Sequence, residues 1–136
     1  MPELRRQFEL PTADVEFLDG LGLPWETIRD GGGMWLLVHQ YLVPAAYQPS
    51  SVSAAVSIPQ SYPDAPLDMV YFRPHLARVD RSAIGALADQ AIDGATWQRW
   101  SRHRTGENPW RVGHDSIETH FLLAREWLDR EVRKAA

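Results

Sequence analysis

Residues 52–58 (VSAAVSI) alternate, with Val52, Ala54, Val56 and Ile58 on one side of an extended chain and Ser53, Ala55 and Ser57 on the other. This period of two half-buries a strand. Pro59, Pro63 and Pro66 follow; each removes a backbone donor and fixes φ, so the connection is a rigid loop and neither helix nor inner strand. Residues 67–72 alternate again, Leu67, Met69 and Tyr71 against Asp68, Val70 and Phe72, which predicts a second strand. Upstream, residues 25–30 read as a strand, Gly31-Gly32-Gly33 as a turn, and residues 34–41 (MWLLVHQY) as its hairpin partner. No Gly-x-Gly-x-x-Gly pattern and no following Lys-Ser/Thr accompany the glycines, so a turn is preferred over a phosphate loop. Residues 43–51, rich in proline and serine, join this hairpin to the strand at 52–58. Four consecutive strands on short connections imply an antiparallel meander.

Helical spacing appears at both ends. In residues 10–23, Thr12 is placed to cap a short helix bearing Val15, Leu18 and Leu21, with Gly20 and Gly22 stopping it. Near the carboxyl end, Asp115 and Glu118 have the spacing of a capping box, and Ile117, Phe121, Ala124 and Leu128, with Leu123 and Trp127 beside them, form an apolar stripe running to Arg133. Between the strands and this helix the pattern weakens. Residues 75–94 offer one or two helical turns through Ile84, Leu87, Ala88 and Ala91, cut by Gly85 and Gly94, and are expected to be largely irregular. Residues 94–113 concentrate Trp97, Trp100 and Trp110 with Arg99, Arg102, Arg104, Arg111 and His103.

At 136 residues the chain has the length of one domain, 1–136. A hydrophobic content of 44% with six Trp excludes a disordered chain. No apolar run approaches the ~20 residues of a membrane span, and MPELRRQFELP lacks the apolar centre of a secretory signal, so the cytoplasm is the expected compartment. The net charge of -4 argues against nucleic-acid binding as the main task. There is no cysteine, which removes disulfides, thiolate metal sites and a thiol nucleophile.

The order of elements resembles the ubiquitin-conjugating (E2) fold: an N-terminal helix, a four-stranded antiparallel meander, a proline corner, a long irregular segment, a tryptophan and a C-terminal amphipathic helix. Tyr62-Pro63 and Pro66 resemble its YPxxPP-type turn, with Leu67 in place of the last proline. WETIRDGG, YPDAPLDMVYFRP and WQRWSRHRTGENPWRVG together look like the prokaryotic E2 family E. The resemblance implies an α+β chain in a bacterial ubiquitin-like protein pathway, with a ubiquitin-like protein and an E1-like adenylating enzyme as partners, a JAB-type metalloprotease as a further one, and no cofactor. The chain also departs from conventional conjugating enzymes. His75 follows Pro74 and precedes Leu76, so the His-Pro-Asn motif is not reproduced, and Pro109 stands before Trp110, not after it. Neither Gly85 nor Gly94 is followed by the expected thiol.

His103 is the candidate catalytic residue, as acid, base or phosphoramidate-forming nucleophile, against the plainer role of a histidine bonded within a packed loop. Thr96 and Ser101 are candidate hydroxyl nucleophiles that each need a base. The candidate partner-binding set is Trp97, Arg99, Trp100, Arg102, Arg104, Trp110 and Arg111. In it the tryptophans are expected to be mainly structural, while some of the planar guanidinium groups meet an acidic face or a carboxylate. His114 and His120 lack the i, i+4 spacing of a shared metal face, His39 is expected on a sheet face, and no metal is expected. Two functions follow: a binding adaptor that forms no thioester, or a divergent conjugating factor using His103 or a hydroxyl, including a form whose cysteine has been replaced. Whether the chain is an enzyme stays open at this level. Nucleic-acid binding by the Arg-Trp cluster is the weakest alternative.

Overall fold

In the computed structural model, which describes residues 3–134, the chain runs α1 (Thr12–Gly20), β1 (Trp25–Asp30), β2 (Gly33–Leu42), β3 (Tyr47–Gln48), β4 (Ser51–Ile58), β5 (Val70–Arg73), β6 (Ala77–Arg78), β7 (Leu87–Ile92), β8 (Ala95–Trp100) and α2 (Ile117–Arg133). Gly31 and Gly32, at φ 58° and 80°, turn β1 into β2, as a tight hairpin requires. One six-stranded sheet has the order β1-β2-β4-β5-β8-β7, with every neighbouring pair antiparallel. The meander expected from the alternation is its β1-β2-β4-β5 part. A separate ribbon pairs β3 with β6, matching Tyr47 to Arg78.

The expectation of a long irregular segment is corrected. Residues 87–100 form the β7–β8 hairpin, and β8 pairs along β5 from Val70↔Trp100 to Phe72↔Gln98. Asp93 and Gly94 both take positive φ, 54° and 74°, so Gly94 completes a two-residue turn and does not break the chain. Helical turns through Ile84 and Ala91 do not form, because Leu87 and Ala91 belong to β7. Three smaller boundaries also move. β5 starts at Val70, since Met69 sits at φ 58° with its N–H on Arg102 O at 3.1 Å. Thr12 is the first residue of α1 and Pro11 precedes it as the cap. The box at the start of α2 uses Ser116 and Thr119, Ser116 N–H donating to Thr119 Oγ1 at 2.8 Å, in place of Asp115 and Glu118.

Both sheet faces are covered. The helices pack on the face carrying Leu36, Val38, Ala54, Val56, Phe72 and Trp100. The other face gathers Ile28, Trp35, Leu37, Tyr71, Ile92 and Trp97. Across this second face the ends of the sheet meet: Arg5, whose backbone flanks β1, pairs with Asp93 at 2.7 Å, and Asp93 N–H donates to Asp30 at 3.0 Å.

α2 is held by its first turn. Ile117 N–H faces Tyr62 Oη at 3.0 Å and Asp14 Oδ1 at 3.3 Å, while Tyr62 donates its hydroxyl to Asp14 Oδ2 at 2.7 Å. Asp14 is buried on α1, so the helix start is capped by a carboxylate from another helix and a phenol from the proline corner. Tyr62→Phe removes the shared hydroxyl and strips partners from a buried carboxylate and a helix N–H. It is expected to lower stability by about 2 kcal/mol, read as a lower urea midpoint with an unchanged slope.

Candidate functional site

The segment after β8 carries the candidate chemistry, and strand pairing fixes where it lies. Ser101 N–H donates to Ala86 O at 3.0 Å, and Arg102 O accepts from Met69, so residues 101–104 are threaded between the 80s connection and the approach to β5. Arg102 is inward-turned: its guanidinium lies over the Trp100 ring at 4.8 Å and pairs with Glu131 of α2 at 3.0 Å. The side chains of that pair are 13% and 8% exposed, little enough that the charges are weakly screened. The second Glu131 oxygen accepts Gly85 N–H at 3.2 Å.

His103 points the other way. It is exposed, and its Nδ1 lies 2.7 Å from Asp68 Oδ2. Asp68 Oδ1 also accepts Arg104 N–H at 3.3 Å, so one carboxylate holds both the backbone and the imidazole of the turn. Beside His103 is a cavity of about 110 Å³ lined by Arg102, His103, Trp127, Arg130, Glu131 and Lys134. Glu131 is engaged by Arg102 and Gly85 and lies 3.9 Å from Lys134, while Arg130 pairs with Glu126 at 3.5 Å; the cations of the lining outnumber its one carboxylate. A larger groove of about 640 Å³ lies elsewhere, against Phe8, Leu10, Met34, Ile58 and Tyr62; its charged residues, Glu9 and Arg29, are exposed.

Arg104 is a structural cation. It donates through Nε to Leu67 O at 2.9 Å and through Nη2 to His120 Nδ1 at 3.0 Å, and its guanidinium stacks on Trp110 at 4.7 Å. Because Arg104 donates to Nδ1, His120 carries its proton on Nε2 and gives it to Met69 O at 2.8 Å. Burial pushes the His120 pKa down to about 4, with the nearby Arg104 charge acting in the same direction. Trp110 donates to Pro63 O at 2.9 Å and packs on Tyr62, which pins the loop to the proline corner.

The sequence-predicted residues thus do not form one surface. Trp100 is buried on the helix side of the sheet; Trp97 lies buried on the opposite side, where its Nε1 and the Nε of Arg99 have no hydrogen-bond partner. Alternation along β8 makes this separation unavoidable. Arg111 is exposed, its backbone N–H held by Asp115 at 2.7 Å. Thr96 is exposed on β8, paired with Ala91, and Ser101 is half-buried. Two important partners were not singled out from the sequence. Glu131 continues the apolar stripe of Ala124 and Leu128, and an acid on a buried stripe calls for a buried cation. For Asp68, inside a run read as strand, there was no signal.

His120 supplies a pH test. An unfolded histidine titrates near 6.5, whereas the folded one is held to about 4. Above pH 6.5 the two states bind protons alike. As pH falls below 6.5 the unfolded chain takes a proton that the folded chain refuses, so stability drops until pH passes about 4. The loss is about 3 kcal/mol. His120→Gln is expected to flatten that part of the profile, measured as urea midpoints between pH 7 and pH 4 for both proteins.

Among known proteins, the family model described as Prokaryotic E2 family E matches residues 10–131. No curated protein and no solved structure matches the chain.

Proposed function

Since the chain belongs to prokaryotic E2 family E, and is to that extent an E2-like component, we propose that it serves a bacterial ubiquitin-like protein pathway as a non-thioester adaptor. It binds the ubiquitin-like protein, its E1-like adenylating enzyme, or both. A JAB-type metalloprotease is a further partner of the same pathway. The observation that supports this reading is chemical: the chain contains no cysteine, and the 101–104 turn sits beside a cavity lined by Arg102, Arg130 and Lys134. Such a site can hold a carboxylate but cannot carry a thioester. Arg102 is fixed by Glu131 and forms the inner wall, while Arg130 and Lys134, exposed at the end of α2, meet the partner. Trp97, Trp100 and Trp110 contribute by fixing the segment that presents these groups, and Arg99 and Arg111 stand at its flanks. No helix among the described residues is long and apolar enough to cross a membrane, which accords with the cytoplasmic setting proposed for the chain.

One observation favours a second reading. Asp68 holds His103 by Nδ1 on an exposed turn, the arrangement that orients an imidazole to present Nε2 as base or nucleophile. In that case the ubiquitin-like carboxyl terminus would be carried on His103.

The experiment separates the two. The chain is mixed with a ubiquitin-like protein, its E1 and ATP, and examined for binding and for an adduct in intact-mass spectra. Saturable binding with no mass increase is expected, and Arg130→Glu with Lys134→Glu should weaken it about tenfold, 1.4 kcal/mol. Absence of binding to both proteins would end the adaptor reading. A mass increase lost in His103→Gln would establish the second.

A further inference from the structure

Away from the 101–104 turn, the sheet carries a hydroxyl, an imidazole and a carboxylate in line. Ser53 Oγ on β4 lies 2.7 Å from His39 Nδ1 on β2, and His39 Nε2 lies 3.1 Å from Glu26 Oε2 on β1. An irregularity in β2 produces this alignment. Val38 pairs with Ala54 and Tyr41 with Val52, so His39 and Gln40 together stand opposite Ser53. Two residues facing one make a β-bulge, which re-aims a side chain. Gln40 takes φ 59°, and His39 N–H is tied to Pro24 O at 2.8 Å.

The carboxylate is itself held. Arg5 donates through Nη2 to Glu26 Oε2 at 3.0 Å and through Nε to Oε1 at 3.2 Å, and its backbone N–H lies 3.3 Å from Oε1. Burial disfavours the Glu26 anion, but the bonds from Arg5 and His39 outweigh it and bring its pKa to about 2. An anionic Glu26 takes the Nε2–H of His39, which leaves the Nδ1 lone pair to accept the Ser53 hydroxyl proton. Arg5 is anchored in turn by Asp93 at 2.7 Å. The line thus has the three parts of an activated nucleophile: the attacking oxygen, its base, and a group orienting the base. Arg73, exposed on β5, is the register partner of Ser53 and shares its sheet face, so its long side chain can reach across the ladder to the attacking oxygen.

We propose that Ser53, His39 and Glu26 form a second, acyl-transfer site, in which Ser53 takes an acyl group from an activated carboxylic ester. Ser53 Oγ attacks the ester carbonyl carbon and its proton passes to His39 Nδ1. The tetrahedral oxyanion is met by Arg73. Collapse breaks the bond to the leaving oxygen, which takes the proton from His39, and leaves an ester on Ser53. Water then repeats the sequence, His39 receiving its proton, and releases the carboxylic acid with Ser53 restored. His39 is 30% exposed in its side chain and Ser53 half-buried, while Glu26 is buried behind them, so the acyl donor is one presented from outside, on a flexible arm or chain. None of these residues belongs to the adaptor surface, and the two proposals stand or fall separately.

The probe is a fluorophosphonate, which reacts far faster with an activated hydroxyl than with an ordinary one. Labelling is expected at Ser53, located by peptide mass mapping, and His39→Asn should slow it on the order of a hundredfold. In Ser53→Cys, the one thiol of an otherwise cysteine-free chain should be alkylated by iodoacetamide with an inflection at least one pH unit below the ordinary thiol value of about 8.5, and adding His39→Asn should return the inflection to that value. Labelling of Ser53 no faster than of the exposed Ser51 and Ser61, or a rate unchanged by His39→Asn, would overturn the proposal. So would an ordinary inflection for the introduced thiol.

Discussion

A carboxylate buried at the start of α2 binds the structure together. Asp14, Tyr62 and the Ile117 N–H come from α1, the proline corner and α2, and each satisfies the others. A buried charge left without partners costs several kcal/mol, so none of these segments can settle without the other two. That closure fixes the direction of α2. At 1.5 Å per residue, its 17 residues then carry Glu131 about 20 Å away, which is where the candidate site is assembled.

The far end of α2 is closed by different chemistry of the opposite sign. Arg78, buried, donates to Glu131 O at 3.2 Å, and Tyr47 donates its hydroxyl to Leu128 O at 2.6 Å. These are register partners in the β3–β6 ribbon, so two-residue strands too short to add to the main sheet position a cation and a phenol over the last carbonyls of the helix. A cation there suits the helix dipole as Asp14 suits it at the start. Between these two caps, Arg102 crosses from the end of β8 to Glu131. The turn bearing His103 is therefore attached both to the sheet and to the helix, and its geometry does not depend on loop stiffness.

Much of this was legible in the sequence. Alternation located β4 closely, the triple glycine located the β1–β2 hairpin, the apolar stripe located α2, and the prolines located the corner. What alternation could not resolve was competition from backbone chemistry. Asp93-Gly94 carries the signature of a two-residue turn, followed by Ala95, Trp97 and Arg99 on one face and Thr96, Gln98 and Trp100 on the other; the same Gly94 reads as a breaker of helical turns, and that second meaning hides the hairpin. Met69 at positive φ cannot be foreseen from an alternating run. The ion pairs were hidden for another reason: His103–Asp68 and Arg102–Glu131 are separated by 35 and 29 residues, and they exist only because β8 lies beside β5 and α2 packs across both.

Three histidines show how such long-range placement, more than residue type, assigns chemistry. His120 has both ring nitrogens committed, one to Arg104 and one to a backbone carbonyl, inside a dry core; a proton added there would face a guanidinium at 3.0 Å, so this ring stays neutral and structural. His103 has one nitrogen on the Asp68 carboxylate and lies exposed to water, which screens that contact. His39 lies between these cases, with a shielded anion on one side and a hydroxyl on the other. There a carboxylate held by Arg5, an imidazole and a hydroxyl stand in line. In a chain without a thiol, the alignment on which the proposed acyl-transfer site rests therefore lies on the sheet, with β5 and β8 between Ser53 and the turn that carries His103.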